Sequence, residues 1–340
     1  MLNKVTDNFS KTRLDKYRLP VIRSINELLE LLDLKNRESY FFYSKNRSRF
    51  LYHEFNIKKR NGGERTIETP SSEVRPILNA IGEVFFSKFH LDECCNGFVK
   101  GRSILTNAAP HIGAKTLFKF DIKDFFPSIN MKKLFYLFRF YGYGTNVSKY
   151  LCFLCLNKNL TLPQGSPISP VISNLIAVRL DARIKGFCSR HSDLCLSYTR
   201  YADDITVSSK NKLGEADIKR IQATIYSIIE DCGFMPNKEK CKVYKQGMRL
   251  EVTGINVNHI QIPHVNKRYI REVEISLYCI EKYSLDSHLK YYNEKYNTTF
   301  SKEKYISHLL GVINFINMVD SQKAKTFRKK LDFLAKEYYV

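Results

Sequence analysis

The chain predicts an α+β fold, and three observations carry that expectation. Two runs of strand-forming residues, Leu196 to Arg200 and Ile205 to Ser208, flank Tyr201-Ala202-Asp203-Asp204 as the arms of a β-hairpin flank its tip. The alternating Phe118, Phe120 and Ile122 read as a buried strand that carries Asp121 at its end. Ile218, Ile221, Ile225, Ile228 and Ile229 repeat at the helical period, and helical patterning returns from Asn266 onward, with Ile270, Val273, Leu277 and Ile280 on one face.

The hairpin is the most informative element. Neighbours on a strand point to opposite faces, but around a tight turn two successive side chains can approach one ligand. Asp203 and Asp204 are therefore candidates to share a pair of divalent cations, although Asp is also a favoured turn residue and a solvated tip has the same composition. Asp121, within Phe120-Asp121-Ile122-Lys123-Asp124-Phe125-Phe126-Pro127, offers a third carboxylate on a neighbouring strand. Two-metal phosphoryl transfer needs hard oxygen ligands around ions roughly 3.5 to 4 Å apart. Two Mg2+ ions suit such a site, because Mg2+ takes one or two carboxylates and completes its octahedron with water and substrate phosphates. The backbone carbonyl of Ile122 is a further candidate ligand.

Other segments complete the pattern. Leu162-Pro163-Gln164-Gly165-Ser166-Pro167-Ile168-Ser169-Pro170 is a turn before a helix expected from about Pro170 to Lys185, with Ser169 as its N-cap and Pro170 in its first turn. Residues 57–67 read as two short strands around the Asn61-Gly62 turn, a strong hairpin signal. Ser24-Ile25-Asn26-Glu27 matches a capping box opening a Leu-rich helix through about Leu34. Beyond the isoleucine helix the chain turns at Gly233 and runs on through Pro236 to Lys240.

In this order, the aspartate strand ending in Phe125-Phe126, the Leu-Pro-Gln-Gly turn and the Tyr-Ala-Asp-Asp hairpin resemble reverse transcriptases across most of the chain. The resemblance implies an RNA-directed DNA polymerase shaped as a right hand of fingers, palm and thumb, the palm an antiparallel sheet packed on helices. It places an accessory helical region at 1–48, fingers at 49–115 and 146–169, palm at 116–145 and 170–255, and a helical thumb at 256–340. It assigns Asp121, Asp203 and Asp204 to catalysis and metal binding, and Lys59 and Arg65 to the triphosphate of the incoming dNTP, where the planar fork of Arg suits phosphate oxygens. Phe126 resembles a steric gate against a ribose 2′-hydroxyl, Gln164 a residue near the nucleotide sugar and template base, and Lys240 a proton donor to pyrophosphate.

Two shorter elements narrow the resemblance. Asn107-Ala108-Ala109-Pro110-His111 resembles the Asn-Ala-x-x-His element of retron reverse transcriptases, and Val252-Thr253-Gly254 their Val-Thr-Gly element. A capped Asn and a satisfied surface His explain the first equally well. Membership implies a cognate structured noncoding RNA as template and primer, with Asn107, His111, Val252, Thr253 and Gly254 among the residues that bind nucleic acid, synthesis from a guanosine 2′-hydroxyl within that RNA, and a branched RNA–DNA product. It also implies antiphage defence through a separate effector protein. The rivals are a diversity-generating or abortive-infection reverse transcriptase, and an RNA-binding scaffold or antitoxin with secondary polymerase activity.

Composition agrees with a nucleic-acid partner. Lys plus Arg number 55 against 34 Asp plus Glu, a formal charge of +21, and such a surface binds phosphate with release of counterions. Lys267, Arg268 and Arg271 near the start of one C-terminal helix, and Lys325, Arg328 and Lys329 in the last, are expected to meet backbone phosphates. The bland alternative is an amphipathic bundle with a wet basic face. No apolar run approaches the ~20 residues of a membrane helix, and the first residues lack the apolar core of a signal peptide, so a bacterial cytoplasm and no membrane are expected. The chain is expected to carry no ribonuclease H domain. Nine scattered cysteines, Cys152 and Cys155 among them, read as reduced and mostly buried thiols rather than a metal site.

Overall fold

The structure, a computed structural model, describes residues 9–33, 52–58, 62–258 and 263–336. In chain order the elements are α1 (Lys11–Lys16), α2 (Ile25–Leu31), β1 (Tyr52–Lys58), β2 (Glu64–Pro70), α3 (Val74–Ile81), α4 (Ile104–Ala108), β3 (Thr116–Asp121), α5 (Met131–Tyr141), α6 (Thr145–Cys155), α7 (Ser169–Arg190), β4 (Leu196–Tyr201), β5 (Asp204–Ser209), α8 (Glu215–Asp231), β6 (Lys242–Lys245), β7 (Glu251–Val252), β8 (Ile255–Asn256), β9 (His264–Val265), α9 (Lys267–Tyr283), α10 (Leu285–Tyr296), α11 (Lys302–Asn317) and α12 (Ser321–Leu334). The chain divides into two compact units, one of residues 1–102, 118–207 and 214–242 and the other of residues 103–117, 208–213 and 243–340.

A four-stranded sheet in the order β4-β5-β3-β6 carries the aspartates. Burial along β3 does not follow the alternation of its sequence, because both of its faces are covered: Leu117 is buried as well as Phe118 and Phe120. The five isoleucines of α8 are its buried residues, and Tyr226 of the same helix meets the Phe120 ring edge-on at 5.4 Å. Through Tyr226 the helix packs on β3, the strand whose last residue is Asp121.

β1 and β2 pair antiparallel as a separate two-stranded sheet, from Tyr52↔Pro70 to Lys58↔Glu64. Its far end is exposed, and the Leu-Pro-Gln-Gly turn seats on β2, where Glu68 N donates to Gln164 O at 2.7 Å. Gly165 is required there: at φ +133, a Cβ would stand 2.7 Å from Glu68 O.

The start of α7 differs from expectation. Ser169 is not the N-cap but the first helical residue, and its hydroxyl donates to Pro163 O at 2.7 Å, tying the helix to the preceding turn. The helix also runs on to Arg190. α2 begins as expected, with Glu27 N donating to Ser24 Oγ, but ends at Leu31, and Leu34 lies outside the described residues.

In the second unit, α9 to α12 enclose an apolar core that includes Val273, Leu277, Leu309, Ile313 and Leu331. Inside it a buried chain of polar groups is closed by its own members. Tyr305 Oη donates to Ser276 Oγ at 2.9 Å and lies 2.8 Å from His288 Nε2. Helices α10 and α11 were not delimited by the sequence pattern. Among the described residues no helix is long and apolar enough to cross a membrane.

Candidate active site

Tyr201 ends β4 and Asp204 begins β5, so Ala202 and Asp203 alone form the turn. Ala202 takes the left-handed conformation, φ +58, which closes a two-residue hairpin tightly. Ile122 N then donates to Asp203 O at 3.1 Å, and Asn237 N to Asp121 O at 2.7 Å. Three segments remote in sequence are thereby pinned at one point: the end of β3, the hairpin tip and residues 235–237. The strand-like pairing at 235–237 takes the Asp121 carbonyl and the Lys123 amide and leaves the Ile122 carbonyl outside it, as a metal ligand there requires.

The carboxylates at this point repel one another. Asp203 is pushed up to about 6 by desolvation and then by the charges of Asp204 and Asp121. Asp204 is exposed by surface area yet crowded by protein on its inner side; desolvation raises it, Lys119 and Lys240 oppose that, and Asp121 adds to it. Lys240 answers part of this charge: its ammonium lies 3.1 and 3.0 Å from the two oxygens of Asp121, and that hydrogen bond raises its own pKa.

Among the described residues no three His, Cys, Asp or Glu side chains form a ready-made metal cage. Hard oxygens held in mutual repulsion, and balanced in part by Lys119 and the exposed Lys240, fit a divalent cation.

Asp121 and Asp203 open on a cleft of about 730 Å³ lined by Arg65, Phe126, Gln164 and Lys240 among others, while Asp204, exposed at the start of β5, is not part of its lining. Six residues proposed from the sequence for chemistry or substrate, Ile122 among them, thus share one cavity with Arg65 of the β1–β2 hairpin, while Lys59 lies outside the described residues. Sequence reasoning missed Phe98, half-exposed in the cleft with its ring 6.1 Å from Phe126; its neighbours Asn96-Gly97 and Gly101 were the available turn signal. It also missed Glu68, whose two oxygens accept from Asn157 Nδ2 at 2.8 and 3.0 Å and whose pKa burial raises.

The remaining sites fall in the second unit. Asn107 and Thr253, 146 residues apart, approach at 3.4 Å, and Val252 packs with Ala108, Leu117 and Ile255 in a small core. His111 Nδ1 lies 2.6 Å from Ser208 Oγ, and burial pushes its imidazole down to about 3, so it stays neutral. Gly254, at φ +87, lets the Phe315 ring lie against the backbone. Asn107, His111 and Val252 are almost wholly buried, which supports bracing of this core rather than contact with nucleic acid. By contrast Lys267, Arg268 and Arg271 are exposed and line a groove of about 520 Å³ with Tyr291, Lys295 and Tyr296. Lys325 and Lys329 are exposed on α12, where Arg328 pairs with Asp332 at 2.9 Å.

The sequence pattern of the family described as "Reverse transcriptase (RNA-dependent DNA polymerase)" matches residues 57–257. Retron Ec86 reverse transcriptase of Escherichia coli is 31% identical over 291 residues, which span 85% of this chain and 83% of that protein. Retron Mx65 reverse transcriptase of Myxococcus xanthus is 31% identical over 267 residues, spanning 73% of this chain and 61% of its own. Retron Ec73 reverse transcriptase of Escherichia coli is 35% identical over 218 residues, 61% of this chain and 68% of its own. Among solved structures, a telomerase from Candida albicans with a telomeric RNA fragment aligns with 88% of this chain and 65% of its own at 12% identity and a TM-score of 0.42.

Proposed function

Because the chain belongs to the reverse transcriptase family, among the retron enzymes, and is an RNA-directed DNA polymerase, we propose that it extends DNA from a 2′-hydroxyl of its own structured noncoding RNA. The product is then a branched RNA–DNA hybrid. The observation that carries the chemistry is the hydrogen bond from Ile122 N to Asp203 O, which sets the Asp121 end of β3 against the Asp203-Asp204 tip.

In this reading Asp121, Asp203, Asp204 and the Ile122 carbonyl hold two Mg2+ ions. When bound, such ions lower the pKa of the attacking hydroxyl and stabilise the leaving oxygen. The protein's own side chains do the rest. Arg65, with Lys59, grips the triphosphate; Phe126 lies under the sugar and leaves no room for a 2′-hydroxyl; Gln164, held by its backbone to β2, borders the sugar and template base. Lys240 carries a proton within reach of the pyrophosphate oxygen that departs beside Asp121. Fingers at 49–115 and 146–169, palm at 116–145 and 170–255 and thumb at 256–340 remain the proposed subdomains. Lys267, Arg268, Arg271, Lys325, Arg328 and Lys329 face RNA phosphates along the thumb. In the cell the ribonucleoprotein restrains a separate effector protein in antiphage defence.

The test is to purify the protein from cells and sequence its bound nucleic acid, beside an Asp203→Ala variant. Wild type should yield a branched hybrid and the variant RNA alone, a loss of at least about 10³-fold in synthesis when several kcal/mol of transition-state stabilisation go. RNA alone with wild type would make the protein a scaffold, and random-sequence DNA an untemplated polymerase.

A further inference from the structure

Behind the hairpin tip lies a charged side chain that the polymerisation chemistry does not use. Arg200, next to last in β4, is fully buried, yet each of its five N–H donors has an acceptor. Nε and Nη2 meet the two oxygens of Asp181 at 2.7 Å each. Nη1 donates to Asn174 Oδ1 at 3.0 Å and to the Ala202 carbonyl at 3.1 Å, and Nη2 also reaches Cys95 Sγ at 3.3 Å. The Ala202 carbonyl belongs to the peptide that leads into Asp203.

The same network reaches the tip by a second route. Asn174 Nδ2 donates to Gly97 O at 2.8 Å. Gly97 lies flat against the turn, where a Cβ would stand 2.5 Å from Ala202 N and 3.0 Å from Tyr201 C. Its segment is laced to β4 on both sides, by Arg200 N donating to Cys94 O at 2.7 Å and Asn96 N to Arg200 O at 2.8 Å. Asp181, in turn, is held by Tyr198 Oη at 2.6 Å.

We propose that Arg200, with Asp181, Asn174 and Gly97, is the positioning device that fixes the peptide plane after Ala202 and so aims the Asp203 and Asp204 carboxylates. The inference rests on the reading of those aspartates as the metal-holding pair. Ala202 sits in a left-handed conformation that an L residue adopts only under constraint, and the guanidinium supplies that constraint from beneath while Gly97 supplies it from the side. A lysine does not replace it, because a point charge lacks the fork that serves Asp181, Asn174 and the turn together. Arg200 touches no substrate; it acts through the turn.

Three variants of the full chain test this in primer extension with a supplied template and dNTPs. Gly97→Ala presses a methyl against the turn without touching a charge. Arg200→Lys keeps the charge and loses the fork. Asn174→Ala keeps the Arg200–Asp181 pair, removes the link to Gly97, and carries the test where another variant fails to fold. Each folded variant, checked by thermal unfolding, should lose kcat by roughly 30- to 100-fold, the scale of an ångström misplacement at a reacting centre. KM for dNTP, measured at saturating Mg2+, should move less than about threefold, since with the metal sites filled the dNTP phosphates keep their partners. Calorimetry on the nucleic-acid-free protein should show weaker Mn2+ binding than wild type. Wild-type kcat and Mn2+ affinity in the folded variants, or a loss confined to KM, overturn the positioning role. An Asp203→Ala protein that still extends primers overturns the functional reading itself.

Discussion

The two sides of the β4–β5 hairpin treat charge in opposite ways. Behind it, Arg200 and Asp181 are one cation against one anion, 0% and 5% exposed, joined through both carboxylate oxygens. Burial alone disfavours the guanidinium charge, and Asp181 more than offsets this. In front, three carboxylates gather against the exposed Lys240, and desolvation with mutual repulsion raises Asp203. Where the protein uses charge to build, it closes the balance within itself. In front, at the proposed metal site, the balance stays open, and the fold carries a repulsion that a bound cation would relieve.

The largest effect expected from this contrast is on stability behind the hairpin. Asp181→Leu strands a buried guanidinium and should cost about 3–5 kcal/mol by chemical denaturation, whereas an Arg200→Met, Asp181→Leu double variant should recover most of that loss. Equal losses in the single and double variants would break the comparison, because the pair would then not be the unit of stability.

In front of the hairpin the sign reverses. Asp203 titrates at about 6 in the folded chain against roughly 3.9 in an unfolded one. A raised folded pKa contributes stability that is complete below the unfolded value and is lost as pH rises through the folded value. Above pH 6 the ionised Asp203 therefore destabilises the metal-free fold, by about 2–3 kcal/mol at most. Asp203→Asn should be the more stable protein at pH 8 in chelator, by about 2 kcal/mol, with the difference closing toward pH 4. A difference that is flat with pH would show that the carboxylate is not under strain.

The smallest effect on the fold is expected from charges that belong to neither side. Lys325, Arg328 and Lys329 are exposed on α12, so replacing all three by Ala should leave stability within about 0.5 kcal/mol per site. RNA binding should weaken at low salt, and its salt dependence should flatten by about 0.7 to 0.9 in log–log slope for each phosphate that the shortened side chains no longer reach. An unchanged slope would remove α12 from the RNA interface.

Much of the site was legible in the chain. The Tyr-Ala-Asp-Asp tip, the strand ending at Asp121, the isoleucine face of α8 and the turn at Gly233 follow from local rules of period and turn chemistry, and they stand where those rules put them. Ser169 misled because a serine before a proline fits an N-cap, while the neighbouring Pro163 carbonyl captured its hydroxyl. Asn107, His111 and Val252 drew notice as short motifs, but their burial depends on segments far along the chain, as the 146 residues between Asn107 and Thr253 show. Glu68 gave no sign of lining the cleft, and the turn residues beside Phe98 mark a loop without saying what it faces, since each side chain reaches the cleft only through the packing of its own segment.

The sequence by itself determined which groups exist and which local shapes hold them: an acidic pair on a tight turn, a third aspartate at a strand end, a basic surface of net charge +21. These are properties of neighbours along the chain, governed by periodicity and turn propensity. Only the tertiary structure decided that Lys240 would neutralise Asp121 from 119 positions away, that Arg200 would lie sealed beneath the tip with every donor used, and that Gly97 would press against Ala202. Burial decides the strength of such pairings: taken from water, an unmatched charge or donor is so unfavourable that the fold must supply its partner from wherever the chain passes.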